Sequence, residues 1–481
     1  MERRRKKAFV SIAVFFALAL WSLEGFAYTL LDGNFELKGF VRNITAVRTD
    51  DPHVGKGLGG ENFEKGDVAL SRSFLQAEGT YTISPDFKFY GRWRGSYDAS
   101  YDMNETSHAI PKDVIDDQRI ENEIRELYVD IRKGPLFLRL GKQQVVWGES
   151  DGLRLADIIN PLDLSWHYLF ENWEDTRIGL PMIRAIYAVT PKTDLEFVWA
   201  PVSFEPTKFG GKGTYWEIPP LGKGGLFPLP VAPGVVLNLP IRQGDVPTSM
   251  KNGSVGGKIK TSFGSGFDVS VYDYYHRYEL PTLQMTPTAG LPIFSLVYPY
   301  VNSIGGTFNT YVNPIKTVFR GEAVYNHGEP QQDFTKPDFI SKKDTIAFMV
   351  GVDRPTYLPI NSESSFLSFQ FFYKKVLNTD PTTVTFGDIN NTVPEQTILS
   401  GILSTPYPKL IPNAVLTPSV TVFYDTVGAG WVRPMLNLRY GDSWSVTVAA
   451  NQFWGHDNSR GFFNPINDRS EAYVDVKYSF Q

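Results

Sequence analysis

The chain has no cysteine, and that absence excludes disulfide staples, thiolate metal sites and thiol catalysis together. Histidine is scarce. The six present, His53, His108, His167, His276, His327 and His456, fall in expected loops or at strand ends with no metal-ligand spacing. Beyond residue 27 no apolar run approaches the ~20 residues of a membrane-spanning helix. Positive charge is also short: without residues 1–27 the chain carries 42 basic and 50 acidic residues, a formal charge of −8, which argues against a nucleic-acid partner. Ser270 and His276 share one expected strand, but six residues of extended chain hold them ~20 Å apart, beyond hydrogen-bond reach. A serine from another strand could still meet a histidine. Glu121 and Glu123 on one strand face read as part of a salt-bridge ladder rather than an acid/base pair. No enzyme, metal or cofactor is expected.

What is present begins with a leader. Arg3, Arg4, Arg5, Lys6 and Lys7 precede an apolar run from Ala8 to Trp21, and Gly25-Phe26-Ala27 offers small residues for cleavage. Residues 1–27 are therefore expected to be a cleaved signal peptide, with an uncleaved anchor as the rival, and residues 28–481 to be one exported domain. That domain is rich in aromatics: the whole chain has 34 Phe, 24 Tyr and 10 Trp, and only four Phe and one Trp of these lie in residues 1–27.

Period-2 alternation recurs along the exported part. In Phe87–Tyr101, Phe87, Phe89, Gly91, Trp93, Gly95 and Tyr97 alternate with Lys88, Tyr90, Arg92, Arg94, Ser96 and Asp98. Eighteen such stretches can be marked, with Ser84-Pro85-Asp86, Lys133-Gly134-Pro135 and Gly441-Asp442 among the short turns between them. Long and short connections alternate, as in outer-membrane barrels with short periplasmic turns, long external loops and both termini in the periplasm. The fold class predicted is all-β, a transmembrane antiparallel up-and-down barrel of 18 strands with short helical or irregular loop insertions. The connection Thr426–Gly430 should be external yet is short, so a miscount giving 16 strands stays open. One phase slip, from Ile120/Ile124 to Leu127/Val129/Ile131, reads as a bulge near Arg125. The last strand, Arg469–Phe480, ends on an aromatic followed by Gln481, similar to the C-terminal signal read by the barrel assembly machinery.

If the apolar face meets lipid, the other face lines a lumen. The pore-lining candidates are then Lys38 and Arg42, Arg92 and Arg94, Glu126 and Asp130 on the early strands. Arg139, Lys258 and Lys260, and Lys316, Arg320 and Glu322 continue them further along. They form either an interior knitted by ion pairs or a basic track for an anionic group. After the strand Leu136–Val146 the chain changes character at Trp147-Gly148-Glu149-Ser150. A short amphipathic piece, Asp151–Ile159, follows, and Asn160-Pro161 ends it. This segment is a candidate plug or constriction, with Trp147, Glu149, Asp151, Arg154, Asp157, Asn160 and Asp163 as the residues that would set selectivity. Trp147, Trp166, Tyr168, Phe170 and Trp173 could instead be interfacial girdle aromatics. The Pro/Gly-rich stretch Pro201–Gly253 is expected to be either a functional loop that caps the mouth or a disordered one.

Leu140-Gly141-Lys142-Gln143-Gln144-Val145-Val146-Trp147-Gly148-Glu149-Ser150, followed by Ile158-Ile159-Asn160-Pro161-Leu162-Asp163, resembles the signature of an uncharacterised proteobacterial outer-membrane family, domain of unknown function 1302. The family pattern reads approximately G-R-Q-x-V-x-W-G-E-S and then I-N-P-x-D; Lys142 stands here for the usual Arg. The resemblance implies an outer-membrane barrel, often encoded beside large inner-membrane exporters that handle hydrophobic or lipid-like compounds. It implies no catalytic residues. The reading reached is a channel or transporter for hydrophobic or amphipathic solutes, with loop Gly148–Asp175 controlling access. Its surroundings would be outer-membrane lipid and lipopolysaccharide, and its partners the assembly machinery and an inner-membrane exporter system. The alternatives are a structural or adhesive barrel displaying long loops, and a sheath for a periplasmic electron carrier. Substrate, direction and oligomeric state are not specified by the residues.

Overall fold

In hydrocarbon a backbone N–H or C=O has no water to turn to, so strands cross only when every edge is paired by closing the sheet. A computed structural model, which describes residues 28–30, 33–52, 60–104, 109–167, 171–201, 204–244, 246, 248–264, 266–359, 363–378, 394–455 and 461–480, meets this condition. The leader lies outside the described residues. Twenty hydrogen-bonded strands form one sheet; two of them, Tyr28–Leu30 and Tyr407–Ile411, are short pieces paired along one edge. Eighteen remain as the wall.

These are β1 (Phe35–Arg48), β2 (Val68–Ser84), β3 (Phe87–Asp98), β4 (Ile120–Lys133), β5 (Leu136–Gln143) and β6 (Leu180–Thr190). They continue with β7 (Thr193–Ala200), β8 (Ser254–Phe263), β9 (Phe267–Arg277), β10 (Tyr300–Val312), β11 (Thr317–Gln332) and β12 (Ile340–Tyr357). The last six are β13 (Ser364–Val376), β14 (Glu395–Ser404), β15 (Ala414–Asp425), β16 (Ala429–Tyr440), β17 (Trp444–Trp454) and β18 (Glu471–Phe480). Each pairs antiparallel with the next, and β18 returns to β1 from Gly39↔Phe480 to Arg48↔Glu471. The 16-strand alternative falls away, because Thr426–Gly428 is a true tight connection. Asp425 closes it, accepting Val427 N at 3.2 Å through its side chain and Gly428 N at 2.9 Å through its carbonyl.

The two faces separate as alternation demands. On β9, Phe267, Val271 and Tyr275 are exposed outward, while Ser270, Tyr272, Tyr274 and His276 are buried inward. The expected bulge is real: the β3–β4 register jumps from Arg92↔Glu126 to Trp93↔Ile124, leaving Arg125 as the extra residue. Several limits differ from the sequence reading. The third strand stops at Asp98, whose carboxylate caps Ser100 N at 3.0 Å and starts a short helix, Ser100–Met103. Ile293–Val312 is two strands, Ile293–Val297 and Tyr300–Val312, interrupted around Pro299. Residues 333–339 alone connect β11 to β12, because these two strands rise well above the wall. Lys316 lies in the turn after the 3-10 segment Asn313–Ile315, in a left-handed conformation, so it is not a wall residue.

The long connections are built rather than loose. Within Pro201–Gly253, Lys208–Phe209 pairs with Asp163–Leu164 inside the mouth. Leu226–Ala232 and Val235–Arg242 form a hairpin that joins Ile293–Val297 and Thr282–Thr286 in a four-stranded external sheet.

A cation on the lipid face at mid-membrane costs ~2–4 kcal/mol. Val271→Arg is therefore expected to destabilise the barrel by about that much, read as a lower denaturant midpoint for folding into lipid vesicles. The lumen-facing Thr447→Arg should cost under half of this.

Candidate functional site: a loop across the lumen

The stretch that follows β5 leaves the wall because its residues permit nothing else. Gly141 sits at φ +133, and a Cβ there would lie 2.2 Å from the Leu127 carbonyl oxygen; only glycine fits. Asn160 then ties the outgoing and returning chains together. Its Oδ1 accepts Val145 N at 2.7 Å, and its Nδ2 donates to the carbonyls of Gln143 at 3.2 Å and Ile178 at 2.8 Å. The two halves of the signature thus close one loop at its base.

From that base the loop crosses to the far wall. Trp147 is buried against Tyr272 and Tyr274 of β9, with ring centroids 5.2 and 5.9 Å away, and its Nε1 donates to Glu196 at 3.1 Å. Beyond it Glu322 on β11 receives three backbone N–H groups: Glu149 and Ser150 on Oε1, the latter at 2.6 Å, and Ala156 on Oε2 at 2.9 Å. Gly148 is required here, since a Cβ would sit 3.0 Å from the same carboxylate and 2.9 Å from Asp157 N. Arg320 donates to the Glu149 carbonyl at 2.6 Å and pairs with both Asp151 and Asp353. Gln370 on β13 reaches Asp151 at 3.0 Å. The expected amphipathic piece Asp151–Ile159 does fold inward, but as irregular chain pinned by side chains rather than as a helix.

On the way back acidic residues meet the early strands. Arg42 pairs with Glu171 at 2.6 Å and Asp475 at 2.9 Å; Arg92 pairs with Glu174 at 2.7 Å and Glu126 at 3.4 Å; Arg94 pairs with Asp175. Arg139 holds Asp130 through bonds of 2.7 and 2.8 Å. Lys38 lies 3.7 Å from Glu78, Lys260 lies 4.0 Å from Asp268, and Lys258 donates to the Trp147 carbonyl at 3.4 Å. Most of the candidate wall cations thus hold a carboxylate, which favours the reading of an interior knitted by ion pairs. Nor are the loop candidates one set. Asn160 and Asp157 are buried, the latter pairing with Arg177 at 2.6 Å and Arg154 at 3.2 Å. Asp163 caps Ser165. Asp151 is exposed, and Glu149 is half-buried with Asn309 Nδ2 donating to its carboxylate at 3.3 Å. Trp147 and Trp166 are buried inside the barrel, so the girdle reading is wrong for both; Tyr168 and Phe170 lie outside the described residues.

One knot joins the loop to the barrel seam. His167 is fully buried, with Nδ1 2.6 Å from Glu171 and Nε2 2.8 Å from Glu471. Burial alone would lower its pKa, but the two carboxylates reverse that and hold it at about 9, while the Glu171 carboxylate, facing Arg42 and His167, is pulled well below its usual range. The open question of a serine from another strand has an answer in Ser303, whose Oγ is 3.1 Å from His276 Nε2. Ser303 also donates to Asn326 Oδ1 at 2.7 Å and His276 Nδ1 to the Arg277 carbonyl at 2.8 Å, so the pair belongs to the wall's own bonding.

Above the crossing loop lies a chamber of about 180 Å3 that the sequence reading missed. Leu153, Leu155, Ile158, Leu162 and Leu164 form its floor. Val324, Ala347, Phe372 and Ile398 line its wall, and Leu280 and Phe462 close in from other loops. Charge enters it as two pairs, Arg154 with Glu279 at 3.6 Å and Lys374 with Glu329 at 2.6 Å. Val324, Phe372 and Ile398 are apolar residues on lumen faces that are otherwise polar, beside Glu322, Gln370 and Gln396, and an alternation pattern read for lipid contact hides them.

The family model described as "Protein of unknown function (DUF1302)" matches residues 8–480. Among solved structures the chain is similar to OccAB4 of Acinetobacter baumannii, with TM-score 0.50 and 8% identity over 93% of this chain and 98% of that one. OccAB3 of the same organism gives 0.48 at 9%, covering 93% and 99%. Salmonella typhi OmpF in complex with daunomycin gives 0.45 at 10%, covering 94% and 99%. At such identities the likeness concerns the fold. No curated protein matches the chain.

Two outcomes follow. Glu322→Ala orphans three backbone donors at ~1–3 kcal/mol each, so the variant should lose roughly 3 kcal/mol or more and be nicked in the loop by protease far faster than the parent. For His167 the folded pKa is raised, so its contribution, on the order of 3 kcal/mol, is complete below about pH 6.5 and lost as pH rises through about 9. The thermal midpoint in detergent should fall across that window, and His167→Gln should flatten the fall.

Proposed function

We propose that this chain, which belongs to the DUF1302 family and forms an outer-membrane β-barrel, passes hydrophobic or amphipathic solutes across the outer membrane under the control of its lumen-crossing loop. The observation that carries the reading is the apolar chamber laid directly on that loop. Val324 lies beyond Arg320 and Glu322 along β11, and Phe372 beyond Gln370 along β13, so the chamber, with its two ion pairs, occupies the loop side of the crossing, and Arg320, Glu322 and Gln370 lie toward the short turns. A solute would meet a greasy compartment first, then a gate held by Glu322 and Arg320, then a polar exit. Apolar walls with a few placed charges are the usual make-up of small-molecule sites.

Export through the leader 1–27 and insertion by the barrel assembly machinery, reading a last strand that ends at Phe480, fit this role. So does hand-over to or from an inner-membrane exporter. A display function has one observation in its favour: the hairpin Leu226–Arg242 is uncharged from Leu226 to Ile241 and largely exposed.

Planar-bilayer conductance of the refolded protein, with and without residues 151–159, tests the reading. Deletion is expected to raise conductance several-fold, and Phe372→Lys to weaken binding of a fluorescent fatty acid at least tenfold without changing conductance as much. Unchanged conductance and unchanged binding in both variants would sink it.

A further inference from the structure

The wall is not equally tall all round. β5 and β7 have 8 residues each, short of the ~9–11 tilted residues that cross a bilayer. Their neighbour β4 has 14, and β5 pairs only with its lower half, from Leu127↔Lys142 to Lys133↔Leu136. Above that point the chain has already turned inward on Gly141 and Asn160. Ile120–Glu126 therefore pair with β3 alone, and their second edge has no strand beside it.

That edge stands at the level of the membrane interface. Trp93 and Tyr97 lie opposite Ile124 and Ile120 on β3, and Trp93 Nε1 donates to Asn122 on the outer surface at 2.6 Å; such aromatics mark the headgroup level. Ile120 and Ile124 are themselves 59% and 51% exposed, on the lipid side. A free strand edge at membrane depth persists only where protein covers it or where it borders a watery cavity. A cavity of about 290 Å3 lies behind this one, with Arg72, Glu121, Asp163 and Lys208 in its lining beside the apolar Phe209 and Leu221.

The opening has a frame. Below, Arg125 donates to the Arg177 carbonyl at 2.8 Å and Lys142 meets Glu123 at 2.9 Å. Above, Lys223 donates to the Asp113 carbonyl of the helix Lys112–Arg119 at 3.0 Å. Behind, the paired segments Asp163–Leu164 and Lys208–Phe209 form a partition. Alternation turns Asp163 and Ser165 to that cavity and Leu162 and Leu164 to the apolar chamber, and Thr207 borders both.

We infer that this notch between β4 and β7 is a lateral portal through which a single-chain amphiphile of the outer leaflet exchanges with the lumen. The polar head fits the charged but balanced cavity, where Arg72 pairs with Glu121 at 2.8 Å, while the tail stays in lipid along Ile120 and Ile124. The partition separates this head site from the apolar chamber that would receive the tail next. The inference deepens the proposed passage by naming its side entrance, and it rests on that reading for the onward route.

Because the chain lacks cysteine, single cysteines report cleanly. Glu121→Cys, in full-length protein reconstituted in liposomes, is expected to react with hexadecyl maleimide confined to the bilayer at least tenfold faster than Ser445→Cys on the β17 lumen face. Ser165→Cys serves the same purpose should loss of the Arg72 partner impair folding. Equal, background-level reaction at both cavity positions overturns the portal. Conductance recorded on the same preparations separates the two ideas: current without bilayer labelling keeps the pore and rejects the portal, and labelling without current does the reverse.

Discussion

Closure of the hydrogen-bonded sheet is the constraint from which the rest descends. Once β18 pairs with β1 over ten residues, the outer face is free to be apolar and the inner face is obliged to satisfy itself. A narrow interior with charged walls cannot leave those charges dry and unpaired. The solution here is to bring in a chain of opposite complement. One loop supplies Glu171, Glu174 and Asp175 to three arginines of β1 and β3, and offers its own backbone donors to Glu322.

The two kinds of tether differ in what they do. Backbone donors converging on Glu322 fix the height at which the loop crosses, because three N–H groups from residues seven apart in sequence meet one carboxylate. The arginine pairs fix its return path along the opposite side. With most wall cations engaged in this way, little of the lumen charge is left to select a solute electrostatically. In the proposed passage, discrimination would rest with shape and with the apolar residues Leu153, Leu155 and Ile158 that line the chamber.

Sending the loop inward also has a cost in the wall. β5 ends at Gln143 so that Trp147 can reach β9, and the upper half of β4 loses its neighbour as a result. On the other side β11 and β12 run to 16 and 18 residues and carry the small external sheet at their tip, with Phe227 and Phe339 ring centroids 6.0 Å apart. The barrel is thus low where the loop departs and tall where the external sheet rests. Crossing loop, chamber and lateral notch all follow from one departure point.

Alternation alone was enough to reach the class and even the Arg125 bulge, because on a closed barrel each strand has one lipid face and one lumen face and the period of 2 survives in the residues themselves; the choice of 18 strands over 16 waited on the short Thr426–Gly428 turn. The inward orientation of Arg42, Arg92, Arg94, Arg139 and Arg320 was legible for the same reason. Their partners were not: Arg42 and Glu171 are 129 residues apart, Arg320 and Asp151 169, and nothing local couples them. Lys316 was misplaced because a strand's first residue and the last residue of its turn look alike without a backbone dihedral. Trp147 could belong to the girdle or to the loop constriction by sequence, and only the path of the loop put it inside. The apolar chamber and the notch beside β4 belong wholly to the tertiary structure, since each is a space between segments far apart in the chain, and space has no residue of its own to read.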